Sequence, residues 1–138
     1  MNRRNAVAAV LLATLSVGPQ ITMAQSKQKI QLSQLQSMFS DMRARAPWNV
    51  DGSLLWGYFF FDTRASRLQQ IASELAPFGY KLVSLEEVQG KSTFRLHVEK
   101  VETHTPETLN KRNGEFYALA EKYGVASYDG MDVRPLPK

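Results

Sequence analysis

An eight-residue run, Leu54-Leu55-Trp56-Gly57-Tyr58-Phe59-Phe60-Phe61, constrains the fold of this chain more than any other feature of its sequence. Nearly every position is apolar, and aromatic residues dominate. Aromatic side chains favour strands, and an apolar run without polar alternation is typical of a central strand whose two faces are both covered. The run therefore predicts a strand in the middle of a sheet that needs cover on both sides.

Apolar spacing before and after this strand predicts two helices. Residues recur at intervals of three and four from Leu32 to Met42, and Pro47 should end that leading helix by Ala46. A second helix is predicted from about Thr63, with Asp62 or Thr63 as its N-cap and Gly79 as its stop.

The rest of the chain predicts a hairpin, a third helix and a last strand. Segments 80–85 and 93–101 are strand-like on either side of Gln89-Gly90, and the second alternates strictly, with Phe94, Leu96 and Val98 on one face and Arg95, His97 and Glu99 on the other. Thr105-Pro106-Glu107 opens a helix that Gly124 ends, and Val125 to Val133 forms a short strand. This order predicts an α+β, ferredoxin-like split β-α-β fold: an antiparallel sheet with two helices on one face and an extra N-terminal helix.

The N-terminus has the layout of a secretory signal peptide. Arg3-Arg4 precedes an apolar stretch of about a dozen residues, short of the roughly 20 needed to span a bilayer, and Thr22-Met23-Ala24 supplies small residues for cleavage. We expect cleavage between Ala24 and Gln25, export to the periplasm or the medium, and no stable membrane anchor afterwards. An uncleaved N-terminal anchor is the alternative.

These signals divide the chain into a signal peptide (1–24), a flexible leader (25–31), one domain (32–134) and a short tail (135–138). The formal net charge is +4, and Arg3 and Arg4 supply half of it, so the cleaved chain would carry +2. The sequence contains no long run of basic residues, and we therefore expect no nucleic-acid binding.

Several short motifs, in order, resemble the regulator of ribonuclease E activity B (RraB) family. Asp51-Gly52-Ser53 precedes the first strand as a DGS does there, and residues 78–83 resemble the family's entry to its second strand. Residues 119–125 followed by Tyr128-Asp129-Gly130 resemble the family's most specific signal, its ending. The motif positions singled out are Asp51, Gly52, Gly79, Tyr80, Tyr128, Asp129 and Gly130.

The resemblance implies a small non-catalytic protein that binds ribonuclease E and alters its activity. This chain departs from the family in being slightly basic rather than strongly acidic, and in having Met131 where the family motif continues with Trp. A signal peptide is a further departure, because an exported protein cannot meet a cytoplasmic ribonuclease. The expected partner is therefore a protein other than ribonuclease E.

The second face of the first strand is the candidate binding surface. Either Trp56, Tyr58 and Phe60 or Leu55, Phe59 and Phe61 point away from the two helices, and the sequence leaves the parity open. The leading helix, a second copy of the chain in a homodimer, or a partner protein would cover that face. The candidate partner-binding residues are Trp56, Tyr58, Phe59, Phe60, Arg95, His97 and Glu99.

The composition argues against most catalytic chemistry. The chain has no Cys and only two His, which excludes thiolate sites and a three-His zinc site, and no phosphate-binding glycine loop or nucleophile motif is present. We expect no enzymatic activity, metal or cofactor. The weakest functional alternative is a small hydrolase. Its acid-base pair would be His97 with Glu99, and its carboxylate site would be Glu86-Glu87 or Glu99 with Glu102.

The sequence thus predicts an exported, protein-binding regulator or inhibitor. An immunity protein that neutralises a periplasm-directed toxin is the other binding function that fits a small exported domain.

Overall fold

The structure is a computed structural model that describes residues 29–138. The expected signal peptide, its cleavage site and the first part of the expected leader lie outside these residues. The end of the leader contacts the domain: the Ile30 backbone N–H donates to the Tyr117 hydroxyl at 2.8 Å.

Three α-helices and four strands make up the domain. The helices are α1 (Leu32–Arg45), α2 (Ala65–Leu75), which continues into a 3-10 turn (Ala76–Phe78), and α3 (Pro106–Tyr123). The strands are β1 (Leu54–Asp62), β2 (Lys81–Glu87), β3 (Phe94–Glu102) and β4 (Ser127–Arg134). Within residues 29–138, no helix is both long and apolar enough to cross a bilayer.

The sheet is antiparallel with strand order β2-β3-β1-β4, so β1 lies between β3 and β4 as its apolar sequence requires. This α+β arrangement confirms the fold class expected from the order of elements. The alternation predicted for β3 is confirmed as well, since Leu96 and Val98 are buried while Arg95 and His97 lie on the other face.

The parity of β1, which the sequence left open, is settled by burial. Trp56, Tyr58 and Phe60 are 0% exposed and pack beneath the helices, with the Tyr58 ring 4.8 Å from the Phe116 ring of α3. These three residues are therefore corrected from candidate partner-binding residues to core residues. Phe59 and Phe61 lie on the opposite face of the strand.

The leading helix packs on the same side of the sheet as the other two helices. Leu35 and Phe39 of α1 are buried, and the Phe39 ring stacks on the Trp56 ring with centroids 6.0 Å apart. The interpretation that α1 covers the second face of β1 is therefore wrong. Its apolar stripe packs against Trp56 of β1 and against α3.

The caps of α3 are those that the sequence predicted, whereas the N-cap of α2 is a different residue. Thr105 caps α3 by accepting the Thr108 backbone N–H at 3.1 Å, and Gly124 ends that helix at φ 63°. The N-cap of α2 is Arg64, not Asp62 or Thr63. Asp62 instead joins distant segments, because its carboxylate accepts the backbone N–H of Arg64 at 3.1 Å and that of Ala126 at 2.9 Å.

Candidate protein-binding face

The sheet surface opposite the three helices, called here the helix-free face, carries four of the sequence-predicted residues. Strand pairing places Phe59 opposite His97, Gly57 opposite Glu99 and Phe61 opposite Arg95. β4 adds Asp132 opposite Gly57 and Arg134 opposite Leu55. The buried apolar residues of 29–138 form one continuous core on the other side of the sheet. Neither Phe59 nor Phe61 belongs to it.

Three of those predicted residues form one stack at the centre of the face. The imidazole of His97 lies on the Phe59 ring, with centroids 4.3 Å apart and planes inclined by 24°. The Arg95 guanidinium carbon lies 5.6 Å from the centroid of the same ring. A cation over an aromatic ring is attracted to its face, so the three side chains hold one another in place.

Gly57 lets polar groups converge over the middle of β1. A Cβ at this position would lie 2.7 Å from His97 Nε2 and would also clash with Asp132 Oδ1. The Nε2 atom is buried without a hydrogen-bond partner among the described residues. Burial lowers the pKa of His97 below its ordinary value, although Asp132 and Glu99 act in the opposite direction.

An ion pair closes over β1 beside this glycine. Arg134 of β4 donates to Glu99 Oε1 of β3 at 2.9 Å. His97 and Glu99, considered as an acid-base pair from sequence, are not hydrogen-bonded to each other, because the carboxylate is engaged by Arg134. Arg95 makes no ion pair among the described residues, and its Nε is buried without a partner.

A buried cluster around Glu102 lies on the helix side of the sheet. The carboxylate accepts from the Tyr58 hydroxyl at 2.5 Å, from His104 Nε2 at 3.1 Å and from Arg112 Nη2 at 2.5 Å. Strand alternation puts Glu102 and Glu99 on opposite faces of β3, so they do not form the carboxylate pair considered from sequence. Glu86 and Glu87 are exposed on the edge strand β2.

The protonation of this cluster favours a structural role. Burial raises the pKa of Glu102, but the hydrogen bonds from His104, Tyr58 and Arg112 outweigh it and lower the pKa to about 2. Burial and the Glu102 charge raise the pKa of Tyr58. An acid that stays ionised and a phenol that stays protonated are poorly matched to proton transfer near neutral pH. Within residues 29–138, no group of three or more His, Asp or Glu side chains is arranged to hold a metal ion.

The family-motif residues contribute to the fold of the domain rather than to the helix-free face. Gly79 ends the 3-10 turn at φ 92°, and Gly130 adopts φ 102° next to a bulge in which Asp129 has no partner on β1. The Tyr128 hydroxyl donates to Asn113 Oδ1 of α3 at 2.6 Å. Asp51 accepts from Arg43 Nη2 at 2.6 Å, and Tyr80 is buried in the core.

Sequence reasoning missed Gly57, Asp132 and Arg134 on the helix-free face. The predicted last strand ended at Val133, one residue before Arg134, and contained the turn-like Tyr128-Asp129-Gly130. In the structure, β4 continues through the bulge to Arg134, and the alternation of Met131 and Val133 with Asp132 and Arg134 was the available indication.

A comparison with protein-family models agrees with the resemblance carried by the motifs. A family model described as "Regulator of ribonuclease activity B" matches residues 33–133, from the start of α1 to the end of β4. Among curated proteins, no match was found.

Proposed function

Because this chain belongs to the Regulator of ribonuclease activity B family, we propose that it regulates by binding another protein through its helix-free face, without catalysis and outside the cytoplasm. The family supplies the regulatory role. The mode of action and the location are our proposals.

One observation supports the choice of surface: the Phe59-His97-Arg95 stack leaves polar groups unsatisfied beside an aromatic ring. Arg95 Nε and His97 Nε2 are both buried and lack hydrogen-bond partners among the described residues. Aromatic residues and Arg are the side chains most enriched in binding hot spots. The complementary surface would place an apolar side chain on Phe59 and a hydrogen-bond acceptor, best a carboxylate, at Arg95.

The charges around the stack suit such an interface. Glu99 and Arg134 neutralise each other at its rim, whereas Arg95 has no carboxylate partner within ion-pair distance in residues 29–138. An acidic group on the partner would be matched by Arg95, and rim charges contribute more to association rate and specificity than to affinity.

The proposal of export rests on the N-terminal pattern of Arg3-Arg4, the apolar stretch and Thr22-Met23-Ala24. In an exported protein the regulated partner is an exported or periplasmic protein, not a cytoplasmic ribonuclease. If the protein is found in the cytoplasm with residues 1–24 still attached, ribonuclease E becomes the partner to test.

The test compares capture of a partner by the wild type and by two variants. The chain beginning at Gln25 is immobilised and exposed to periplasmic extract, and any specifically retained protein is purified and its affinity measured. Phe59→Ala removes the ring that carries the stack. Leu82→Ala is the matched control, because Leu82 is 46% exposed on β2 and lies on the other side of the sheet.

We expect Phe59→Ala to weaken binding by about 2 kcal/mol or more, as hot-spot aromatics do, and Leu82→Ala to leave it unchanged. Equal loss in both variants, or no loss in Phe59→Ala, would contradict the proposed surface. A wild-type dimer that Phe59→Ala converts to a monomer, seen by light scattering, would instead assign the face to self-association.

A further inference from the structure

A cavity on the helix side of the sheet combines apolar walls with polar groups that the fold leaves unused. It has a volume of about 320 Å³ and lies where the end of α2 meets α3 and β3. Leu75, Phe116 and Leu119 line it, and Phe78 at its margin is 66% exposed. Small-molecule pockets of about 300–1,000 Å³ have this character, mainly apolar with a few placed polar groups.

Tyr80 supplies an unsatisfied hydroxyl in this cavity. The residue is 6% exposed, and its Oη is buried without a hydrogen-bond partner among the described residues. Burial, the nearby Glu102 charge and a weak interaction of the hydroxyl with the Glu102 side chain raise the pKa of Tyr80, so its hydroxyl stays protonated. Glu102 is not within hydrogen-bonding geometry of Oη, which leaves this donor available. A buried polar group without a partner is costly, and a bound acceptor would remove that cost.

Lys100 supplies a positive charge that no carboxylate of residues 29–138 neutralises. Its Nζ lies 4.8 Å from the centroid of the Tyr80 ring, and its side chain runs beside Gly79, where a Cβ would come within 3.4 Å of the lysine Cε. The amine is therefore held over the cavity by its partly buried stem.

The acidic side chains around the cavity are already engaged. Glu74 accepts from Lys122 Nζ at 2.7 Å and from the Tyr123 hydroxyl at 2.6 Å. Glu115 accepts from Arg112 Nη1 at 2.6 Å. Of the charged groups that line the cavity, Lys100 is thus the one without an opposite charge in the described part of the chain, and this favours an anionic ligand.

We propose that this cavity is a binding site for a small carboxylate with an apolar body, of the size of an arylalkanoic acid. The apolar body lies against Leu75, Leu119 and the exposed ring of Phe78, and the carboxylate binds Lys100 and accepts from Tyr80. This site lies on the opposite side of the sheet from the helix-free face and does not depend on the function proposed above.

Calorimetric titration of the chain beginning at Gln25 with 3-phenylpropionate at neutral pH tests the site. Propionate carries the charge without the ring, and 3-phenylpropanol carries the ring without the charge. Lys100→Met keeps the length and apolar stem of the side chain and removes the charge. Lys91→Met is the control, since Lys91 is exposed in the turn between β2 and β3. Tyr80→Phe removes only the hydroxyl.

We expect saturable binding of 3-phenylpropionate that Lys100→Met weakens about tenfold or more, that Tyr80→Phe also weakens, and that Lys91→Met leaves unchanged. Both truncated probes should bind more weakly than 3-phenylpropionate. Absence of saturation at millimolar concentration, equal binding of the alcohol, or wild-type affinity in a folded Lys100→Met or Tyr80→Phe variant would overturn the proposal.

Discussion

Replacing Glu102 by Gln should reveal how much of the stability of the domain depends on one buried charge. Gln keeps the size of the side chain and an acceptor for Tyr58, but it removes the negative charge that Arg112 pairs with. The Glu102 side chain is 7% exposed, so solvent screens its interactions little.

The magnitude follows from the pKa of this carboxyl, which falls from an ordinary 4.5 to about 2 on folding. A tenfold change in proton affinity is worth about 1.4 kcal/mol, so ionised Glu102 contributes about 3 kcal/mol to the free energy of unfolding at neutral pH. Because the folded-state pKa is the lower one, this contribution is present above pH 4.5 and is lost as the pH falls towards 2.

Urea denaturation followed by circular dichroism, repeated between neutral and strongly acidic pH, measures the effect. We expect Glu102→Gln to cost about 3 kcal/mol at neutral pH and progressively less below pH 4.5, until the two proteins converge. Glu115→Gln is the matched control, because Glu115 pairs with the same Arg112 from a half-exposed position and should cost less than about 1 kcal/mol. Parallel wild-type and Glu102→Gln curves throughout the acid range would refute the assignment of this charge to folding stability.

Three further outcomes are expected. Intact-mass analysis of exported protein should show a chain beginning at Gln25, and a dominant species retaining Met1 would contradict export. Phe39→Ala should lower the free energy of unfolding in urea by about 3–5 kcal/mol, because it empties a buried site against Trp56; a loss below about 1 kcal/mol would contradict the packing of α1. Because burial lowers the pKa of His97 below 6.5, its neutral form stabilises the folded state above that pH, and stability should fall as the pH drops through 6.5. His97→Gln should flatten that part of the profile, and an unchanged slope would contradict burial of the ring.

Local patterns in the sequence predicted the elements whose determinants are local. The alternation of β3, the Thr105 cap and the αL glycines Gly79 and Gly124 all depend on a few neighbouring residues, and each is confirmed. The parity of β1 could not be read from its sequence, because both sets of alternate residues are apolar. The packing of α1 and α3 against β1 decides which set is buried, and α3 lies far from β1 in the sequence.

The clusters of polar side chains were harder to predict for the same reason. Glu102, His104 and Arg112 come from a strand, a loop and a helix, and no spacing rule brings them to one point. The docking of α3 on the sheet does so. On the helix-free face, Asp132 approaches His97 only because Gly57 of the intervening strand has no side chain, and nothing local in the sequence connects those three positions.

Because β4 is the last strand in the sequence, the sheet can be completed only late in synthesis. β1 is the first of the described strands to leave the ribosome, and one of its edges stays unpaired until Ser127–Arg134 follows it. Until then Phe60 lacks the Tyr128 ring that lies 5.0 Å from it, and Asp62 lacks the Ala126 N–H. Chains lengthen by about 5–20 residues per second, so a nascent molecule spends several seconds with its most aromatic strand open on one edge. Until the last strand arrives, this open edge can pair with other chains, and holdase chaperones act on nascent chains in that state.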